Sequence, residues 1–237
     1  MSRSQAGLPG FFKKMRVTAS NITELNRVKS KDCAGFYPCV MIDPKNFGGD
    51  NMTSGEERLQ GDRGLSGNLI LIGMMATGKS AVGTLLAEEL GYEMVDLDAE
   101  IVRHEGRSIP EIFAESGEAY FRASESERLR EVLERDRVIV ATGGGAVLAA
   151  DNAMMMKEKG IVVALSATAE QIIARVAGDR NRPLLAGNAE ENVRRILEER
   201  KDAYSFAHCS VDTTGLTEAE VCQLILMHYR VLAFKHV

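Results

Sequence analysis

NLILIGMMATGKSAVGTLLAEEL, residues 68–90, decides the architecture. It opens on a short β-branched, apolar run that reads as a buried strand. It closes on the amphipathic stretch KSAVGTLLAEEL, which reads as a helix. Between them lies GMMATGKS at 73–80, with the spacing G-x-x-x-x-G-K-[ST]. Gly73 and Gly78 permit a tight turn, so successive backbone N–H groups face one anion. The helix that begins near Lys79 adds unpaired N–H groups and the positive end of its dipole. The expected ligand is therefore a phosphate chain. It would be cradled by Gly73, Met74, Met75, Ala76, Thr77, Gly78, Lys79 and Ser80, with Ala81 in the first helical turn. The motif assigns Lys79 to the β- and γ-phosphates of a nucleotide and Ser80 to Mg²⁺.

Downstream, short apolar runs alternate with longer amphipathic ones. EMVDL (93–97), VIVAT (138–142), IVVALS (161–166) and CSVDT (209–213) read as strands buried on both faces. Helices are expected at about 79–90, 117–135, 168–177, 189–204 and 217–232. Such alternation predicts an α/β fold, a parallel sheet wrapped by helices through right-handed crossovers.

Residues 1–66 differ. They are rich in Gly, Ser and Asn and lack sustained periodicity. They are expected as a disordered N-terminal extension, with 67–237 as the folded domain. Met52 is a candidate alternative start, and a targeting or partner-binding segment is the remaining reading. Seven acidic residues in 1–66 count against an organelle transit peptide.

The 237 residues are 45% hydrophobic and 27% charged, ordinary for a globular chain. Residues 1–66 hold ten basic and seven acidic residues, a net of +3, and the rest hold 19 and 27, a net of −8. An acidic body argues against nonspecific nucleic-acid binding. No run approaches the roughly 18 apolar residues of a membrane span, and the first 30 residues hold no apolar signal region. Cys33, Cys39, Cys209 and Cys222 form no C-x-x-C pair, so reduced thiols and a cytoplasmic setting are expected.

Other candidate residues lie beyond strand ends, where parallel sheets bind ligands. Asp96 and Asp98 follow the second strand. One carboxylate can hold Mg²⁺ through water and the other can accept a proton or hydrogen bond from a hydroxyl; capping the next helix, AEIVRHE, is the plainer alternative. Gly143, Gly144 and Gly145 expose backbone N–H groups after the third strand. Arg122 has Glu125 at i+3 to orient it. Arg182, in the loop-like GDRNRPLL, has the setting of a lid arginine that neutralises a transferring phosphoryl group. Arg200 comes late in a helix.

The ordered set GMMATGKS, DLD, FR, GGG, RPLL and RKDAY, together with GRSIPEIFAESGEAYFRASE at 106–125, resembles shikimate kinase from about Asn68 to Met227. The resemblance implies a P-loop three-layer αβα fold with five parallel strands in the order 2-3-1-4-5. It implies transfer of the ATP γ-phosphoryl group to the 3-hydroxyl of shikimate, with Mg²⁺, by a monomer. It assigns Lys79, Asp98 and Arg182 to catalysis. Ser80 and Asp96 serve the metal, the latter through water. Asp98, Arg122, Gly143, Gly144, Gly145 and Arg200 bind shikimate; Arg175 and Arg182 bind ATP, Arg175 against adenine and Arg182 as the lid arginine. The pattern departs at Ala76, where the family usually has glycine. A gluconate-type kinase would share the loop and lid, and a nucleotide-binding module without activity is the reading from another class.

Overall fold

The computed structural model describes residues 67–176 and 188–233. The extension expected at 1–66 and the loop carrying Arg182 lie outside the described residues.

Five strands form one parallel sheet: β1 (Asn68–Gly73), β2 (Glu93–Asp96), β3 (Val138–Ala141), β4 (Gly160–Ser166) and β5 (Cys209–Asp212). Their order is β2-β3-β1-β4-β5, as the family resemblance implied. The helices are α1 (Lys79–Leu90), α2 (Leu97–Glu105), α3 (Ile109–Leu133), α4 (Ala150–Lys159), α5 (Ala169–Val176), α6 (Ala189–Glu199) and α7 (Glu218–Ala233).

All six residues of β1 are buried because helices cover both faces of the sheet. Successive side chains point to opposite faces. Ile70 and Ile72 therefore join Val138, Val140, Leu97, Ile101, Ile112, Phe121 and Leu129 in one core. Leu69 and Leu71 join Ile139, Val163, Val82, Leu86, Val221 and Tyr229 in the other. Asn68 anchors the start of the strand. Its amide donates to the carbonyls of Leu133 and Arg135 and accepts from the N–H of Val138.

The register brings the functional ends level. Leu71 and Asp96 both pair with Ala141, and Gly73 pairs with Leu165. The carboxyl ends of β1, β2 and β3 thus open on one edge, which positions the site.

Four expectations need correction. Leu97 belongs to α2, because Asp96 ends β2 and at once caps the helix, its Oδ1 accepting from the N–H of Ala99. The third helix starts at Ile109, not 117, on a capping box formed by Ser108 and Glu111, with a break at Gly117 (φ 81°). Helix α4 was not expected at all; only Asn152 and Met156 of it are buried, so it shows no apolar stripe. Helix α6 ends at Glu199 rather than 204. There the chain turns to bury Arg200 and to seat Ala203, Tyr204, Phe206 and Ala207 against the core.

Candidate active site

The loop after β1 is built as a phosphate cradle. Gly73 has φ 137°, and a Cβ there would lie 2.1 Å from the carbonyl oxygen of Leu165, so only glycine fits. Met74 and Met75 are buried against Ile172, Val176, Val193 and Ile196 of α5 and α6, which fixes the loop from outside. Thr77 Oγ1 donates to the carbonyl of Met74 at 2.8 Å. Lys79 Nζ, largely buried, donates to the carbonyls of Gly73 (2.9 Å) and Met74 (2.8 Å). No side chain caps α1, so its first N–H groups remain for a ligand.

Ala76 has φ 60°. The departure from glycine therefore places a Cβ in the left-handed region, at about 1 kcal/mol of strain. Ala76→Gly is expected to stabilise the full chain only slightly, by at most about 0.5 kcal/mol in denaturant unfolding, since the entropy glycine adds to the unfolded chain offsets much of the relieved strain. A loss of stability would show that the alanine methyl supplies packing that outweighs the strain. The carbonyl of Ala76 also accepts from Arg175 Nη1 at 2.9 Å. The arginine expected against adenine is here tied to the loop itself, a contact across 99 residues that spacing could not reveal.

Ser80 Oγ donates to Asp96 Oδ2 at 2.5 Å. The capping reading of Asp96 holds: one oxygen caps α2, and the other faces Ser80. Two hard oxygen donors at the loop fit an ion such as Mg²⁺, which takes few protein ligands and keeps water and phosphate oxygens.

The acceptor-side residues converge on the glycine run. Positions built for a Cβ show the neighbours of each glycine. At Gly143 it would sit 2.7 Å from Asp98 Oδ1 and 2.7 Å from Glu125 Oε1. At Gly145 it would sit 2.6 Å from Arg122 Nη2. At Gly144 it would approach Met75 N at 3.3 Å and Arg200 Nη1 at 3.7 Å. Arg200 Nη1 and the Tyr204 hydroxyl both donate to the Gly144 carbonyl, at 3.0 and 2.9 Å. The phosphate loop, Asp98, Arg122 and Arg200 are therefore brought to one wall. Tyr204, four residues past Arg200 in the quoted RKDAY, was not singled out from the sequence.

Arg122 is held by two carboxylates. Its Nη1 donates to Glu125 Oε2 at 2.8 Å, and Nε and Nη2 donate to Glu118 Oε1 at 3.3 and 3.1 Å. Two of its five N–H donors remain for a ligand. The orienting role expected for Glu125 is present, while Glu118 was not foreseen. Glu125 is 1% exposed, and its Oε1 has no hydrogen-bond partner. Burial pushes its carboxyl above the ordinary glutamate value, the Arg122 guanidinium opposes the shift, and the Asp98 carboxylate adds to it.

That direction has a testable sign. A carboxyl raised in the fold contributes stability below its unfolded value of 4.5 and loses it as pH rises through the folded value. The Tm of Glu125→Gln minus that of the wild type is expected to become more positive from about pH 4.5 to about pH 8. A difference flat with pH would remove the shift.

A phosphate loop on a 2-3-1-4-5 parallel sheet, facing a separate pocket of arginines, a carboxylate and backbone glycines, defines a P-loop small-molecule phosphotransferase. The family model described as shikimate kinase matches residues 75–230. The shikimate kinase of Geobacter metallireducens is 45% identical over 155 residues, covering 65% of this chain and 87% of that protein. That of Thermodesulfovibrio yellowstonii is 40% identical over 167 residues, covering 70% and 96%. The solved shikimate kinase of Acinetobacter baumannii in complex with shikimate superposes with a TM-score of 0.68 at 40% identity, covering 71% of this chain and 94% of that one. The chain belongs to the shikimate kinase family.

Proposed function

We propose that this protein transfers the γ-phosphoryl group of ATP to the 3-hydroxyl of shikimate, giving shikimate 3-phosphate and ADP. The observation that carries this reading is the convergence of Asp98, Arg122 and Arg200 on Gly143–Gly145, beside the phosphate loop. Shikimate has one carboxylate and three hydroxyls. The two remaining N–H donors of Arg122 suit the carboxylate, with Arg200 as the second cation. Asp98 and the glycine N–H groups suit the hydroxyls.

In this reading Lys79 leaves the carbonyls of Gly73 and Met74 for the β- and γ-phosphates, which the loop N–H groups cradle. Asp98 accepts the proton of the attacking hydroxyl. Ser80 and Asp96 hold Mg²⁺, with Asp96 acting through water. When bound, the ion neutralises charge on the phosphate oxygens. Arg175 serves the adenine side once nucleotide displaces it from Ala76, and Arg182 neutralises the transferring group.

The chemistry belongs to residues 67–237, in a monomer of the cytoplasm. Cys209 and Cys222 form no disulfide among the described residues. Among the described residues no helix is long and apolar enough to cross a membrane.

ADP release coupled to a chromogenic assay, with Mg-ATP and the full chain, tests the proposal. Shikimate-dependent release is expected, and the same dependence from a chain beginning at Gly67 would place the chemistry in 67–237. A folded protein that binds ATP but releases no more ADP with shikimate than without it would overturn the substrate.

A further inference from the structure

The acceptor pocket needs Asp98 on α2 and Arg122 on α3 at a fixed separation and orientation, yet the backbone between them is not one continuous helix. Residues 106–108 join the two helices, and α3 is broken at Gly117 (φ 81°, ψ 169°) before it reaches Arg122. A single carboxylate spans both joints. Glu105 ends α2, and its side chain is 7% exposed. Its Oε1 accepts from Ser124 Oγ at 2.9 Å, and its two oxygens accept from the Tyr120 hydroxyl at 3.3 and 3.2 Å. Its Oε2 accepts from Arg107 Nη2 at 2.8 Å. Arg107 Nη1 in turn donates to Glu115 Oε2 and Ser116 Oγ, on the other side of the break, and its guanidinium lies 5.8 Å from the centre of the Tyr120 ring.

We propose that Glu105 is a positioning residue for the acceptor site, aiming Arg122 by fixing the rotation of the second half of α3 against α2. The inference rests on the shikimate kinase reading. Tyr120 and Ser124 each lie two residues from Arg122, so they stand about 160° around the helix from it. A clamp on that face sets the direction of the guanidinium on the other. The apolar contacts between α2 and α3 (Leu97, Ile101, Ile112, Phe121) hold the helices together but are non-directional. The hydrogen bonds supply the angular restraint. Hydrogen bonding from Arg107, then Ser124, holds the Glu105 carboxyl below the usual glutamate value, so it is ionised at neutral pH and remains a full acceptor.

Steady-state kinetics on the full chain test this. Glu105→Ala is expected to raise KM for shikimate about tenfold, leaving kcat within about twofold and KM for ATP unchanged. Glu105→Gln, which keeps an acceptor for Ser124 and Tyr120, should recover most of the loss. Adding Ser124→Ala to Glu105→Ala should cost less than the sum of the single effects. A shikimate KM within twofold of wild type in Glu105→Ala would overturn the proposal, as would a parallel rise in both KM values or no recovery in Glu105→Gln. Hydrogen exchange gives a readout independent of the acceptor. Glu105→Ala should speed exchange across 118–126 and leave 79–90 unchanged, and equal effects at both would count as general loosening and refute the clamp. Absence of shikimate turnover in the wild type would sink the functional reading alone, leaving the exchange result to judge Glu105.

Discussion

Lys79→Met lowers kcat by about 10³-fold, the scale seen when a preorganised charge is removed from a phosphoryl-transfer site. The side chain is largely buried and held within the loop by two backbone carbonyls, which its ammonium exchanges for an incoming phosphate chain. Methionine keeps the length and the packing but carries no charge. The fold should tolerate it. Met74 keeps its bond from Thr77, the Gly73 carbonyl loses its lysine donor, and the desolvation of a buried ammonium disappears. The net change in stability is expected within about 1 kcal/mol. The measurement is kcat at saturating ATP and shikimate, with Tm as the control for folding. A kcat within tenfold of wild type and an unchanged Tm would mean that the N–H cradle and the metal suffice without Lys79.

Asp98→Asn separates binding from proton acceptance. The amide matches the carboxylate in shape and can still hydrogen-bond a hydroxyl, but it is not a base at neutral pH. General-base catalysis contributes about 10²–10⁴-fold, so kcat should fall by that factor while KM for shikimate moves only a few-fold. Asp98 lies in the first turn of α2, where a negative charge favours the helix dipole. A stability loss of about 0.3–1 kcal/mol is therefore expected as well. If kcat holds while KM rises tenfold, Asp98 binds the hydroxyl and some other group takes the proton.

The sheet was legible because β1, β3 and β4 are short apolar runs buried on both faces, while the edge strands β2 and β5 bury only Val95 and Val211 and were expected to be more covered than they are. The phosphate loop was legible because its chemistry is local: every group that matters lies within 73–80. The helices between 97 and 116 were harder. Helix α2 begins where β2 stops, with Asp96 serving both, so no loop marks the boundary. The start of α3 did leave a signal, Ser108-Ile109-Pro110-Glu111, which is a capping box with proline in the first turn. Helix α4 left little, since its exposed faces carry Met154 beside Lys157 and Lys159. Contacts formed only by folding were out of reach. Arg175 on Ala76, Tyr204 on Gly144 and Glu105 on Ser124 join residues 99, 60 and 19 positions apart. The family resemblance supplied the candidate acceptor residues, and the structure shows what brings them together: a glycine run whose backbone Asp98, Glu125, Arg122, Arg200 and Tyr204 all approach.

The central strand has a consequence for how the protein is made. Strand β1 is bonded on one side by β3 and on the other by β4, both of which follow it in the chain. Asn68 pairs with Gly160, and Gly73 with Leu165. This fully buried central strand, with the nucleotide loop attached, is therefore made before both of its partners and waits for them. At about 5–20 residues per second that wait is about 5–20 s. The edge that β3 covers is open until Ala141 is made and the edge that β4 covers until Ser166, so an aggregation-prone segment stays unpaired on at least one side throughout. A chain stalled before Ser166 would carry the complete loop sequence and still bind no ATP, so nascent chains of this protein are expected to need chaperone shielding late into their synthesis.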